Sequence, residues 1–324
     1  SGSASDLNTA YSSSGISGLG NETLNLTDTA LAASVLNTLD SNTTGVIDAS
    51  TVTTLTGSAS DLNTAYSSSG ISGLGNEAVT ISDISIDASV LNTLDSNTTG
   101  VIDASTVTTL TGSASDLNTA YSSSGISGLG NEALNLTDTA LAASVLNTLD
   151  GNTTGVANAS TVTILSGFAA DLITAYSSSG ISGLGNEAVT ISDISIDASA
   201  LNILDENTTG VVNASKVTTL TGSLADINAV YTANTAGTIS GLGDEAITLS
   251  DTTLAAADLN TINGLTTGVV NAGTVATLTG TAAAANTAYD AGTAGTISNL
   301  GNEAVTLTDT TLAASVLNTL DGNT

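Results

Sequence analysis

The chain omits a whole set of chemically active side chains. It has no cysteine, methionine, histidine, proline or tryptophan. Without histidine and cysteine there is no Ser-His-Asp or Cys-His catalytic system, and the preferred ligands of zinc are missing. Without sulfur there are no disulfides and no foothold for the usual side-chain oxidation, which fits an oxidising exterior. Without proline every residue keeps its backbone N–H, as a stack of hydrogen-bonded strands requires. Aromatics make up only 2% of a chain that is 40% hydrophobic, so the core must be built from Ala, Val, Ile and Leu. Cations are almost absent: Lys216 stands against 30 acidic residues, for a net charge of −29. Nucleic acid is thereby excluded as a partner, and an anionic membrane surface is disfavoured. Such a charge keeps chains apart unless salt or divalent cations screen it, as in a saline exterior. No apolar run approaches the ~20 residues of a membrane span, and no secretory signal is visible.

What is present is repetition. LNTLDSNTTGVIDAS occupies Leu36–Ser50 and recurs, letter for letter, at Leu91–Ser105. The string GSASDLNTAYSSSGISGLGNE starts at Gly2, Gly57 and Gly112, each 55 residues after the last, with looser copies from Gly167, Gly222 and Gly280. The final step is three residues longer, the extra residues falling in YTANTAGTISGLG, where other copies have YSSSGISGLG. An insertion there predicts a loop tip. Copies one and three carry LNLTDTALAAS after the GNE, and copies two and four carry AVTISDISIDAS, so a pair of units was copied as a block. Six tandem units follow: 1–56, 57–111, 112–166, 167–221, 222–279 and 280–324. The chain opens and closes in mid-repeat, the expectation for a segment of something longer or a processed piece. Each unit divides in two on a shared A-S-x-L-N-T frame. Ala59 to Ala88 spans 29 residues and Ala88 to Ala114 spans 26, giving an elementary coil of roughly 27 residues, within the range of solenoid repeats.

SASDLNTAY, Ser113–Tyr121, predicts a short helix. Ser113 caps it, Asp116 completes a capping-box arrangement, and Leu117, Ala120 and Tyr121 share a face. In DASVLNTLD, Asp87 is the cap, with Val90, Leu91 and Leu94 inward. AVTISDISI alternates as strand through Val79 and Ile81, bends at Ser82-Asp83 and resumes at Ile84 and Ile86. GVID, GISGL and TVTTLTG read as further short strands. The expected fold is an α/β solenoid in which like strands stack side by side in parallel. The alternative is an all-β right-handed parallel β-helix in which the LNT stretch is a turn.

Several polar residues recur. The Asn of L-N-T stands at Asn8, Asn37, Asn63, Asn92, Asn118, Asn147, Asn202, Asn228, Asn260, Asn286 and Asn318, with Ile173 as the exception. A structural ladder to the next coil is expected of it, because an unsatisfied buried amide is costly. One Tyr per unit, from Tyr11 to Tyr289, fills a gap among small residues or offers a row of rings to sugars. Carboxylates recur after the Gly turn, as at Glu77, and after the strand, as at Asp83. They read as solvated faces and helix caps. Calcium is a possible cofactor, with Asp83, Asp87, Asp103 and Glu77 as candidate ligands, although neither an EF-hand loop nor a GGxGxDxUx nonapeptide is present. No catalytic residue is assigned. Lys216, in SKVTT where other copies have STVTT, reads as a lone surface substitution.

The phrases LNTLDSNTTGVIDASTVTTLTG and AYSSSGISGLGNEAVT resemble tandem repeats of very large, acidic surface or secreted proteins of marine cyanobacteria. The resemblance covers essentially the whole chain and rests on repeat wording. It implies an extracellular or cell-surface location and a structural, adhesive or motility-related role. The chain is therefore expected to be no enzyme but a structural repeat that associates with itself, head to tail or laterally, into a rod or filament. A calcium-stabilised adhesin stalk, or a module that binds polysaccharide, is the alternative.

Overall fold

A computed structural model describes every residue, Ser1–Thr324. The chain forms two units. One comprises Ser1–Thr139, Val145–Thr161 and Ser179–Gly183; the other comprises Ala140–Ser144, Val162–Ser178 and Leu184–Thr324. Each is made of short parallel strands alternating with short helices on the 55-residue period. No helix is long and apolar enough to cross a membrane.

The L-N-T stretches are helical, as at Ala59–Ser67 and Ala88–Asn97. That overturns the all-β alternative. Helices of nine or ten residues are marginal alone, so their ends and inner faces must be held by the rest of the chain. Ala59, Leu62 and Ala65 are buried from one, and Ala88, Leu91 and Leu94 from the other. Val90, expected inward, is only half-buried. At the start of the first helix the Ser58 hydroxyl accepts from the Asp61 N–H (3.1 Å) and donates to the Asp61 carboxylate (2.9 Å). Asp87 caps the second by accepting from the Ser89 N–H at 2.8 Å.

The inserted residues of the last two units do not form a loop tip. They lengthen the helices to thirteen residues, Leu224–Ala236 and Ala282–Ala294. Each ends on a left-handed glycine, Gly237 (φ 85°) and Gly295 (φ 81°), a conformation that favours a residue without Cβ.

The first unit holds three parallel sheets and the second another three. One sheet of the first unit shows the rule. Ala30–Ala32 pairs with Thr54–Gly57, then Ala78–Ile81, Ile102–Asp103 and Ile126–Ser127. Leu31 lies beside Leu55, Leu55 beside Val79, Val79 beside Ile102 and Ile102 beside Ile126. Each step advances 23 or 24 residues, less than the average half-repeat. Every step therefore meets an earlier point of the motif, and unlike strands pair. This corrects the expectation of like on like. A sheet starts with a strand entering a helix and ends with a strand leaving one. The second unit obeys the same rule, with Ile164 beside Ala188 and Val189 beside Val212.

The register makes each strand face two different neighbours, so the inward position must be aliphatic in all of them. Leu55, Val79 and Ile102 are fully buried, while Ala78 and Thr80 point outward. Side chains add clasps between successive half-repeats. Asp83 reaches back 24 residues to accept the Ala59 N–H at the start of the preceding helix (2.8 Å). Asp28, Asp138, Asp193, Asp251 and Asp309 do the same for their own preceding helices. The Thr106 hydroxyl lies against two carbonyls of the preceding strand end, Ile81 (2.8 Å) and Asp83 (3.1 Å). Thr51, Thr161 and Thr274 repeat this clasp.

Lys216 occupies the corresponding position in the fourth copy, where no hydroxyl can serve. Replacing Lys216 by Thr should restore the clasp and raise unfolding stability by about 1 kcal/mol, read from urea denaturation.

Candidate functional site

The recurrent glutamate is the least expected feature of the structure. Glu77, Glu132 and Glu187 are 0% exposed, Glu245 and Glu303 are buried, and Glu22 is half-buried. The sequence reading placed these carboxylates on a solvated face, and the structure corrects it. The turn before each glutamate accounts for the change. In GLGNE the second glycine takes φ 130° at Gly75, which suits glycine and turns its amide toward the side chain that follows. Gly75 N–H donates to Glu77 Oε2 at 2.8 Å, and Asn76 N–H donates at 3.2 Å. The Tyr66 hydroxyl, from the helix Ala59–Ser67, donates to the same oxygen at 2.9 Å. Charge-assisted bonds of this kind are what a buried carboxylate needs.

The next half-repeat closes the arrangement. The Thr98 hydroxyl donates to the Glu77 backbone carbonyl at 3.2 Å and accepts from the Gly100 N–H at 3.0 Å. It also lies in hydrogen-bonding contact with the Tyr66 hydroxyl. Gly100 fits so tightly that an added Cβ would lie 1.9 Å from the Glu77 carbonyl oxygen. The equivalent glycines, Gly45, Gly155, Gly210 and Gly268, would put a Cβ at 2.1–2.3 Å from their own glutamate carbonyls. Helix, glycine turn and N-T-T-G turn are thus pinned at one point.

The pin recurs in all six units. Tyr11–Glu22 (2.8 Å), Tyr121–Glu132 (2.8 Å), Tyr176–Glu187 (3.0 Å) and Tyr289–Glu303 (3.2 Å) are hydrogen-bonded pairs, as are Tyr231 and Glu245. The amides of Gly20, Gly130, Gly185, Gly243 and Gly301 serve the five carboxylates. A signal for the pair exists in the sequence. Tyr precedes Glu by 11 residues in four copies and by 14 in the two with insertions, so the partners persist when the spacing changes.

Burial, and then the neighbouring carboxylate, push the tyrosine hydroxyls upward. Tyr289 reaches about 12, and Tyr66, Tyr121, Tyr176 and Tyr231 lie higher still. At Glu22 the Gly20 amide, followed by the Tyr11 hydroxyl, lowers the carboxyl below its ordinary value. Functionally the arrangement is closed. The carboxylates face donors of their own chain, and the rings that could have formed a sugar-binding row turn their hydroxyls inward.

The L-N-T asparagines lie along the helices. Asn8 donates to the Val35 carbonyl (3.0 Å), Asn37 to Asp61 (2.9 Å), Asn63 to Val90 (3.2 Å) and Asn92 to Asp116 (3.0 Å). Asn202 and Asn260 donate likewise to Asp226 and Ala284. Each bond ties one helix to the next. Asn8, Asn63, Asn118 and Asn286 also accept a bond from a second asparagine, Asn42, Asn97, Asn152 and Asn323 respectively. Asn147 is engaged too, whereas Asn228 and the exposed Asn318 make no such bond. Ile173 breaks the row in the same copy where Phe168 replaces the capping serine and is 57% exposed.

The calcium candidates do not converge. Glu77 is closed into its pin, Asp83 caps the preceding helix, Asp87 caps its own helix, and Asp103 accepts from the Ser105 N–H at 3.0 Å. No group of three or more carboxylates is placed to hold a metal ion. One acidic cleft escaped the sequence reading. LDEN replaces LDSN in the fourth copy, so Asp205, Glu206 and Asp226 line a cleft of about 440 Å³ over the helices. Glu206 was the visible signal, a single added carboxylate in an otherwise uniform position. No family model, curated protein or solved structure matches the chain.

The raised tyrosines set an alkaline limit. A tyrosine whose folded value exceeds the ordinary 10 stabilises the fold fully below pH 10. That contribution is lost as pH rises through the folded value. Tyrosinate absorbance should therefore stay low past pH 10 and appear together with loss of circular dichroism. Smooth titration near pH 10 with the fold intact would show free hydroxyls instead.

Proposed function

We propose that this is a structural repeat protein, a solenoid whose coils stack into an extracellular rod or filament. One observation carries the reading. The recurrent polar residues are spent on holding one half-repeat to another. Asp83 caps the preceding helix, Thr106 clasps the preceding strand, Asn37 bonds the following helix, and Thr98 closes the preceding glutamate turn. An enzyme or ligand-binding module keeps some polar groups free to meet a partner. Here copying has multiplied groups that serve only their own chain.

The remaining surface suits a crowded saline exterior. It carries most of the 30 carboxylates and a single lysine, so salt screening decides how closely copies approach. Association of such repeats, head to tail or laterally, is part of the proposal. A calcium-stabilised stalk draws no support from carboxylates that are separately engaged.

Electron microscopy in seawater-like salt tests the reading. Elongated particles joining into thin continuous filaments are expected. Separate short rods would confine the role to a spacer, and round particles would overturn the solenoid.

A further inference from the structure

The last strand, Ala304–Leu307, has a partner on one side only, Thr277–Gly280. Beyond it lies a cleft of about 440 Å³ whose lining includes Glu303, Val305, Leu307 and Leu317. Leu317 is 48% exposed, and Val305 and Leu307 are half-exposed. Their counterparts one unit earlier, Ile247, Leu249 and Leu259, are 1% exposed or less.

What covers the earlier copy is visible. The segment Thr266–Thr277 lies over it in an extended path. Thr266 Oγ donates to the Glu245 carbonyl, Val270 sits beside Ile247, and the Ile247 N–H donates to the Val269 carbonyl at 3.0 Å. Thr274 Oγ then reaches the Leu249 carbonyl at 2.8 Å, and Ala276 N–H reaches Thr252 O at 2.8 Å. The same cover recurs in the earlier copies, with Val101 over Val79 and Val156 over Leu134.

We propose that the groove along Ala304–Leu307 is a docking site for an extended segment of the type T-G-V-aliphatic-Asn/Asp-Ala, added as a parallel strand. The occupant is fixed by its glycine, because a Cβ on Gly268 would lie 2.3 Å from the Glu245 carbonyl oxygen. A second copy presented by its first residues fits less well. Its Ser1-Gly2-Ser3-Ala4 corresponds to Thr279–Ala282 and so lies past the covering segment. The inference deepens the stacking reading by naming what an end face accepts.

The test uses the full chain and a fluorescently labelled peptide, TGVVNAGTVATLTG, the sequence of Thr267–Gly280. Fluorescence polarisation should show saturable binding of one peptide per chain. A peptide carrying Gly268→Ala should bind at least about tenfold more weakly. Chain variant Val305→Asp, verified as folded by circular dichroism, should also lose binding. No saturation at millimolar peptide, or equal binding of the Gly268→Ala peptide, would overturn the proposal. Peptide binding and filament formation are separate readouts, so either can fail while the other stands.

Discussion

A buried carboxylate is the constraint around which the repeat is built. Removing a charge from water costs several kcal/mol unless donors replace the solvent. Glu77 meets that demand with two amides and a tyrosine hydroxyl, and each donor has its own requirement. The amides need the glycine turn, and the hydroxyl needs the helix that carries Tyr66. Closing the pin against Thr98 needs Gly100, where no side chain fits. The conspicuous letters of the repeat, Y, G-L-G-N-E and N-T-T-G, therefore belong to one contact. None can drift alone without leaving a buried polar group unmet.

The ladder explains why the copying is so literal. Strands pair at a step of 23 or 24 residues where the half-repeats are longer, so every sheet combines strands of different phases. Leu31, Leu55, Val79, Ile102 and Ile126 belong to one sheet yet to five positions of the motif. A strand must suit unlike neighbours on its two sides, and those neighbours suit others in turn. A substitution that improves one pairing disturbs the next. Whole units copied as a block keep every pairing consistent, and the 55-residue period is the shortest that does so. The fourth copy shows what departure looks like: Phe168 without a cap bond, Ile173 without the amide, Lys216 without the hydroxyl clasp.

Much of this was legible in the letters. Ser113 and Asp116 ahead of Leu117 and Ala120 mark a helix, and AVTISDISI marks two strands with a bend, at Ala78–Ile81 and Ser85–Asp87. The pairing register was not legible, because a period of 55 fixes where motifs recur and not which residues face one another. The burial of Glu77 was hidden for a related reason. A glutamate after Gly-Asn reads as solvated unless its donors, 1, 2 and 11 residues away, are known to converge. The insertion in YTANTAG misled through composition. Its Asn, Thr and Gly suit a loop, but Gly237 stops a helix that the added residues extend.

The central claim is that the buried glutamate holds half-repeats together. Urea unfolding of Glu132→Ala beside Glu132→Gln tests it most directly. The alanine should cost about 3 kcal/mol, since it strands the Tyr121 hydroxyl and the Gly130 amide away from water. Glutamine keeps an acceptor oxygen in place and should cost distinctly less. An alanine variant within about 0.5 kcal/mol of the parent, as for an ordinary surface residue, would contradict the account.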